Sequence, residues 1–224
     1  MLNAQTEKAK KIEAVLFDFD MTLVDSSYII TECMNRLAEA KGLRTITREE
    51  LLAVIGLELE DSWRVLWGHV GPDWVDFYRA NFRELEVGGF REFPGTRKLP
   101  EGLRKAGIRT GIVSNRHFAR TAAERADLAH LFDIIVGLED VERGKPAPDS
   151  LRFALKGLDL SPENAVYVGD TDLDMAAAVA ADVLAVGVTT GNLGADELRA
   201  AGAACACADL LEVPAAIGLK LDLQ

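Results

Sequence analysis

A chain of 224 residues, 49% of them hydrophobic, is long enough for one large domain or for a core domain carrying an insert. Its formal charge of −11 disfavours nucleic acid and anionic membrane surfaces as partners, because both are bound through a basic face that displaces counterions. No run approaches the roughly 20 apolar residues of a membrane span, so small solutes are the expected ligands.

Taken in order, the opening MLNAQTEKAKK carries positive charge but no apolar h-region after it. No export signal is therefore expected, and a cytoplasmic location is. The apolar run AVLF then reads as a strand driven straight into DFDMTLVDS, where Asp18 and Asp20 are separated by one phenylalanine. Two carboxylates so close disfavour each other's ionisation, and the apolar residues beside them offer no compensation. Something positive is expected there. Between Ser26 and about Phe90 the strand signal vanishes and the apolar spacing is helical, as in YIITECMNRLAEA and PDWVDFYRANFREL. Trp63, Trp67 and Trp74 fall inside this stretch at helical spacing, which predicts a packed core rather than a ligand box. VDSS and VGGFREFPG mark its two crossings with serine, glycine and proline, a composition suited to hinges.

From Thr96 onward short β-branched runs return: IRTGIVS, FDIIVG, AVYVGD and VLAVGV, alternating with alanine-rich helical segments. That texture predicts an α/β fold, a doubly wound parallel sheet wrapped by helices, with an all-helical insert after its first strand. The expected division is a core of residues 1–25 and 91–224 with a helical domain of residues 26–90. Near the end, the alternation in AACACAD predicts a short strand with Cys205 and Cys207 on one face as small apolar residues. With Cys33 they make an odd set with no framework spacing, so reduced thiols are the default.

In open parallel sheets ligands bind outside the carboxyl ends of the strands. Asp18 and Asp20 lie at one such end, Ser114 and Asn115 at another, and Asp170 at a third, with Asp172 and Asp174 on the helical turn beyond. Asp172 is expected to cap that helix. Several carboxylates on one edge call for a hard divalent cation, and an oxygen-only donor set favours magnesium over zinc. Lys145, in GKPAPD, adds a cation on a loop whose two prolines restrict the backbone. A metal, a lysine, a serine hydroxyl and a carboxylate nucleophile together suit a phosphoryl group.

These residues resemble the haloacid dehalogenase superfamily of aspartate-nucleophile phosphatases. The likeness consists of D-x-D-x-T at Asp18, Asp20 and Thr22, the strand-end Ser114, Lys145 in GKPAPD, and G-D-x-x-x-D from Gly169 to Asp174. The four elements stand in the family's order, and the helical insert falls where the family's helical cap enters, so the resemblance covers nearly the whole chain. GKPAPDSLRFAL and VGDTDLDMAAAVAA are most similar in texture to phosphoglycolate phosphatases and related pyrophosphatases. The resemblance implies Asp18 as nucleophile and Asp20 as general acid and base. It implies magnesium held by Asp18, the backbone carbonyl of Asp20 and Asp170, with Asp174 either a ligand or an anchor behind the ligands. Ser114, Asn115 and Lys145 would bind phosphoryl oxygens, and Thr22 and Arg116 are candidates for substrate contact. The expected partner is a small phosphorylated metabolite, phosphoglycolate first, handled by a monomer or homodimer. A β-phosphoglucomutase-like isomerase, a pyrophosphatase and a non-catalytic binding module are the alternatives. One departure is Met21, where the family commonly has glycine; an ordinary backbone conformation is expected there.

Overall fold

In the computed structural model, which describes residues 11–223, AVLF becomes β1 (Ala14–Phe17), buried at every position. The opening stretch read for an export signal lies, for all but its last residue, outside the described residues. A two-residue β2 (Val24–Asp25) follows, and then four helices: α1 (Ser27–Lys41), α2 (Arg48–Leu52), α3 (Leu59–Trp67) and α4 (Trp74–Gly88). The chain returns through β3 (Arg91–Glu92) into α5 (Lys98–Lys105), β4 (Arg109–Val113), α6 (Ala119–Arg125) and β5 (Ile134–Val136). The remainder alternates strictly: α7 (Asp149–Leu158), β6 (Ala165–Gly169), α8 (Asp172–Ala180), β7 (Leu184–Val188), α9 (Ala195–Ala200), β8 (Cys205–Cys207) and α10 (Val213–Ala216).

Six of these strands form one parallel sheet in the order β5-β4-β1-β6-β7-β8. Because side chains alternate along a strand, Val15 and Phe17 face one way with Ile112, Val166 and Val186, beneath α5, α6 and α10. Ala14 and Leu16 face the other way with Val113, Tyr167 and Ala185, against α7, α8 and α9. Both faces are covered, as a near-continuous apolar strand requires, and the doubly wound reading is borne out. The chain runs outward through β4 and β5 on one side of β1, then crosses back to β6 on the other. The strand order therefore reverses beside β1, where a crevice opens at the carboxyl ends.

The inserted helices pack around their own core, in which Leu37, Leu51, Trp63, Trp74, Tyr78 and Phe82 are buried. Trp63 and Trp67 both meet Trp74 edge-on, with ring centroids 5.9 and 5.8 Å away, so the tryptophans are packing residues as their spacing implied. The two crossings are paired with one another: β2 and β3 form an antiparallel ribbon, Val24 opposite Glu92 and Asp25 opposite Arg91. Cys205 and Cys207 face the same core on β8, and all three cysteines are free. Among the described residues no helix is long and apolar enough to cross a membrane.

Candidate active site

The sheet delivers the site because Asp18, Ser114 and Asp170 each directly follow one of its strands. Asp18 extends β1, its N–H donating to the Val168 carbonyl at 2.9 Å; Ser114 extends β4, its N–H donating to Val136 at 3.0 Å. Asp170 extends β6. Asp18, Asp20, Ser114, Asn115, Arg116 and Lys145 all line one cleft between the sheet edge and the inserted helices, while Asp170 and Asp174 lie fully buried.

Lys145 is the hub of the buried part. Its Nζ donates to Asp18 Oδ1 at 2.7 Å, to Asp174 Oδ1 at 2.6 Å and to the Tyr167 hydroxyl at 2.9 Å, and that hydroxyl donates onward to the Val113 carbonyl at 2.7 Å. Burial alone would strip the ammonium of its proton, but Asp174 and Asp18 outweigh it and hold Lys145 charged, above the usual lysine range. Asn115 fixes the loop that carries the lysine. Its Oδ1 accepts the Lys145 N–H at 2.7 Å, and its Nδ2 donates to the carbonyls of Lys145 at 2.9 Å and of Gly56, between α2 and α3, at 3.0 Å. In this arrangement both hydrogens of the Asn115 side-chain amide are engaged, so the side chain positions the loop that carries Lys145.

Asp18, Asp170 and Asp174 each place a carboxylate oxygen within 4.8 Å of the others. Asp170 Oδ1 accepts from the Thr22 hydroxyl at 2.8 Å, and its Oδ2 is buried with no hydrogen-bond partner among the described residues. Burial, reinforced by the charges of Asp174 and Asp18, pushes Asp170 well above the usual carboxylate range. Burial likewise raises Asp18 to about 7, with Asp174 and Asp20 adding to the rise and Lys145 opposing it. An orphaned buried oxygen beside a second carboxylate whose ionisation is penalised is the donor set a hard divalent cation satisfies. Asp174 differs. Its Oδ1 is taken by Lys145, and its Oδ2 accepts the Thr171 N–H at 3.0 Å and the Thr171 hydroxyl at 2.6 Å. Although burial opposes it, Lys145 and Thr171 hold Asp174 below the usual range, which suits an anchor behind the ligands.

Two readings change here. Thr171, closing a capping box with Asp174, caps α8, and Asp172 is only the first residue inside. Thr22 is fully buried with its hydroxyl given to Asp170, so it holds a carboxylate and meets no substrate.

Asp20 stands apart from this cluster, gripped by Arg116. The guanidinium donates from Nε to Asp20 Oδ2 at 2.9 Å and from Nη2 to Oδ1 at 2.7 Å, a bidentate fork. Its Nη1 donates to Glu86 Oε1, and Glu86 Oε2 accepts the Tyr78 hydroxyl at 2.7 Å. Burial would raise Asp20, but the Arg116 charge and hydrogen bonds prevail and hold it below the usual range. Arg116, expected as a substrate contact, thus ties Asp20 on the sheet edge to α4, with its fork filled by two carboxylates.

Residues 15–188 match the haloacid dehalogenase-like hydrolase family. The chain belongs to that family. This haloacid dehalogenase-like hydrolase is 29% identical to the pyrophosphatase PpaX of Bacillus velezensis, over 85% of its own length and 89% of that protein. It superposes on a haloacid dehalogenase-like hydrolase from Bacteroides fragilis with a TM-score of 0.82 at 33% identity, covering 91% of this chain and 100% of that one. A haloacid dehalogenase family hydrolase from Deinococcus radiodurans, whose structure holds phosphate and sodium, gives a TM-score of 0.72 at 28% identity over 92% and 95% of the two chains.

Three features of this hydrolase escaped the sequence reading. Glu86 had a signal: Tyr78, Phe82 and Glu86 recur every four residues on the buried face of α4, and an acid on an apolar stripe demands a cation. Tyr167 had one too, a polar tip in the middle of the buried strand AVYVG. The third is Met21, which adopts φ 59° in place of the ordinary conformation expected. Its N–H donates to the Val24 carbonyl at 2.8 Å, its carbonyl accepts from the Thr190 hydroxyl at 2.5 Å, and its side chain is 1% exposed. These contacts offset a left-handed cost of about 1–2 kcal/mol.

Proposed function

We propose that this hydrolase is a magnesium-dependent phosphatase of small phosphorylated metabolites, working through an aspartyl phosphate on Asp18 as a cytoplasmic monomer or homodimer. The observation that carries the reading is the pairing of Asp18 with Lys145 Nζ at 2.7 Å beside the orphaned oxygen of Asp170. Asp18, the Asp20 carbonyl and Asp170 would hold the cation, which when bound supplies charge to neutralise the phosphoryl oxygens. An Asp18 oxygen forms the new bond to phosphorus as the bond to the leaving oxygen breaks, and Asp20 gives that oxygen its proton. Water then attacks phosphorus, Asp20 takes the water's proton, and Asp18 departs. Lys145 and the Ser114 hydroxyl hold phosphoryl oxygens as charge develops. Asp20 is kept as carboxylate while Arg116 grips both its oxygens, so it serves as acid once that fork moves onto Glu86 alone.

In this reading residues 26–90 form a cap over a core of residues 1–25 and 91–224, and the β2–β3 ribbon is the joint. Phosphoglycolate, put first by the sequence texture, and pyrophosphate, named in the PpaX relative, belong on the panel of phosphate compounds to be compared; interconversion of a sugar phosphate without release of phosphate would mark an isomerase instead. The test is phosphate release from an aryl phosphate with magnesium, with chelator, and with Asp18→Asn. Chelation should stop turnover reversibly, and Asp18→Asn, folded by circular dichroism, should retain less than about a hundredth of the rate. Greater retained activity removes Asp18 from the nucleophile's place.

A further inference from the structure

Resting on the phosphatase reading, we infer that the leaving alcohol of the substrate is small, uncharged and apolar, and that neither a carboxylate-bearing ester nor pyrophosphate is preferred. The cleft over Asp18 has a volume of about 150 Å³. Its cap side is formed largely by Ile30, Met34, Leu51, Ile55, Leu57 and Leu59, apolar side chains from α1, α2, the α2–α3 segment and the first residue of α3. A volume of about this size holds a guest the size of benzene, so a short hydrocarbon fits against these side chains beside the phosphoryl group.

The charges around the cleft point the same way. A second anionic group, whether the carboxylate of phosphoglycolate or the far phosphate of pyrophosphate, needs a cation across from the reacting phosphoryl group. Lys145 is engaged by Asp18 and Asp174, and Arg116 by Asp20 and Glu86, with its guanidinium also 5.2 Å from the centre of the Phe90 ring. Drawing Arg116 onto a substrate anion would strand Glu86, whose side chain is only 11% exposed, as a buried acid facing that anion. Arg79, also on the lining, is exposed to solvent, where an ion pair with a substrate anion gains little, and its guanidinium lies 6.0 Å from the Phe118 ring centre. Polar groups on the cap side are likewise engaged: the Ser62 hydroxyl donates to the Val54 carbonyl at 3.2 Å and Tyr78 to Glu86. An alkyl group removes apolar wall from water at no cost to these pairs, whereas a charged group must lose its hydration against aliphatic carbon.

The test uses unbranched alkyl phosphates from methyl to pentyl, whose leaving oxygens differ little in basicity, together with ω-carboxyalkyl phosphates of the same lengths and pyrophosphate. The readouts are kcat/KM with magnesium and, by calorimetry, the affinity of the matching alkylphosphonates, which cannot be hydrolysed. Specificity should rise about fourfold per added methylene until the cleft is full, and each ω-carboxylate should fall at least about tenfold below its alkyl partner. Leu57→Arg, adding a cation to the wall, should flatten the chain-length slope and raise the carboxylate series relative to the alkyl one. Turnover with a flat slope, or with the carboxylate series or pyrophosphate ahead, overturns this inference and leaves the phosphatase reading intact. No turnover of any ester, with phosphonate affinity still rising with chain length, overturns the phosphatase reading and leaves the apolar cleft. If neither rates nor affinities respond, both are wrong.

Discussion

Arg116→Ala should destabilise the protein more than any substitution at an exposed arginine. The side chains of Arg116, Asp20 and Glu86 are 12%, 13% and 11% exposed, so removing the guanidinium strands two buried carboxylates that both converged on it. Truncating one partner of a buried charged pair costs about 3–5 kcal/mol; with an eighth of the surface still wet and one acid free to protonate, the lower end, about 3 kcal/mol, is expected. For a chain of this size that is a drop of about 6–12 °C in melting temperature. The pH dependence carries its own sign. In the native protein Asp20 sits below its unfolded value of 3.8, so Arg116 contributes stability that is present above that value and lost as pH falls through the depressed one. Without Arg116, burial takes over and raises Asp20, so the deficit should be full at pH 7.5 and shrink toward pH 5 as Asp20 takes up a proton. Melting followed by circular dichroism at the two pH values measures it, and adding Glu86→Gln to the variant should recover part of the loss by removing one stranded charge. A drop below about 2 °C at pH 7.5, an equal drop at both pH values, or no recovery in the double variant would refute the reasoning.

Asp20→Asn should slow turnover by about a hundredfold to ten-thousandfold, and the loss should shrink on an aryl phosphate with an acidic phenol; equal losses on alkyl and aryl esters would remove Asp20 as the acid. Magnesium should raise the melting temperature more at pH 7.5 than at pH 5.5. Asp18, raised to about 7, and Asp170, raised with it, keep protons in the folded state that the unfolded chain has released, so metal-free stability falls as pH rises from about 4 to about 7 and the cation offsets that fall. Equal shifts at both pH values would place the cation elsewhere. Met21→Gly should be more stable than Met21→Ala by about 1 kcal/mol, since both lose the buried side chain and only glycine relieves the positive φ; denaturant melts in which alanine equals or exceeds glycine would count against strain at that position.

What could be read along the chain was whatever the chain itself repeats or punctuates. The apolar run before Asp18, the β-branched runs before Ser114 and Asp170, and the helical spacing from Ser26 to Phe90 each express a backbone period, and a parallel sheet then obliges the residues after its strands to share one edge. That is why Asp18, Ser114, Lys145, Asp170 and Asp174 could be named as one constellation, and why Trp63 and Trp74 could be assigned to a core. The hand each residue holds was settled elsewhere. Thr22 donates to Asp170 across 148 positions, and Arg116 reaches Asp20 across 96 and Glu86 across 30; no local period encodes pairings over such distances. They depend on how the inserted helices close over the sheet edge, and in a buried space every polar group must find whichever partner packing brings within reach. Packing likewise turned Asn115 inward to the Lys145 backbone, pressed Met21 into a left-handed turn, and lined the cleft with aliphatic carbon, because each of those outcomes belongs to surfaces that meet only when the chain is folded.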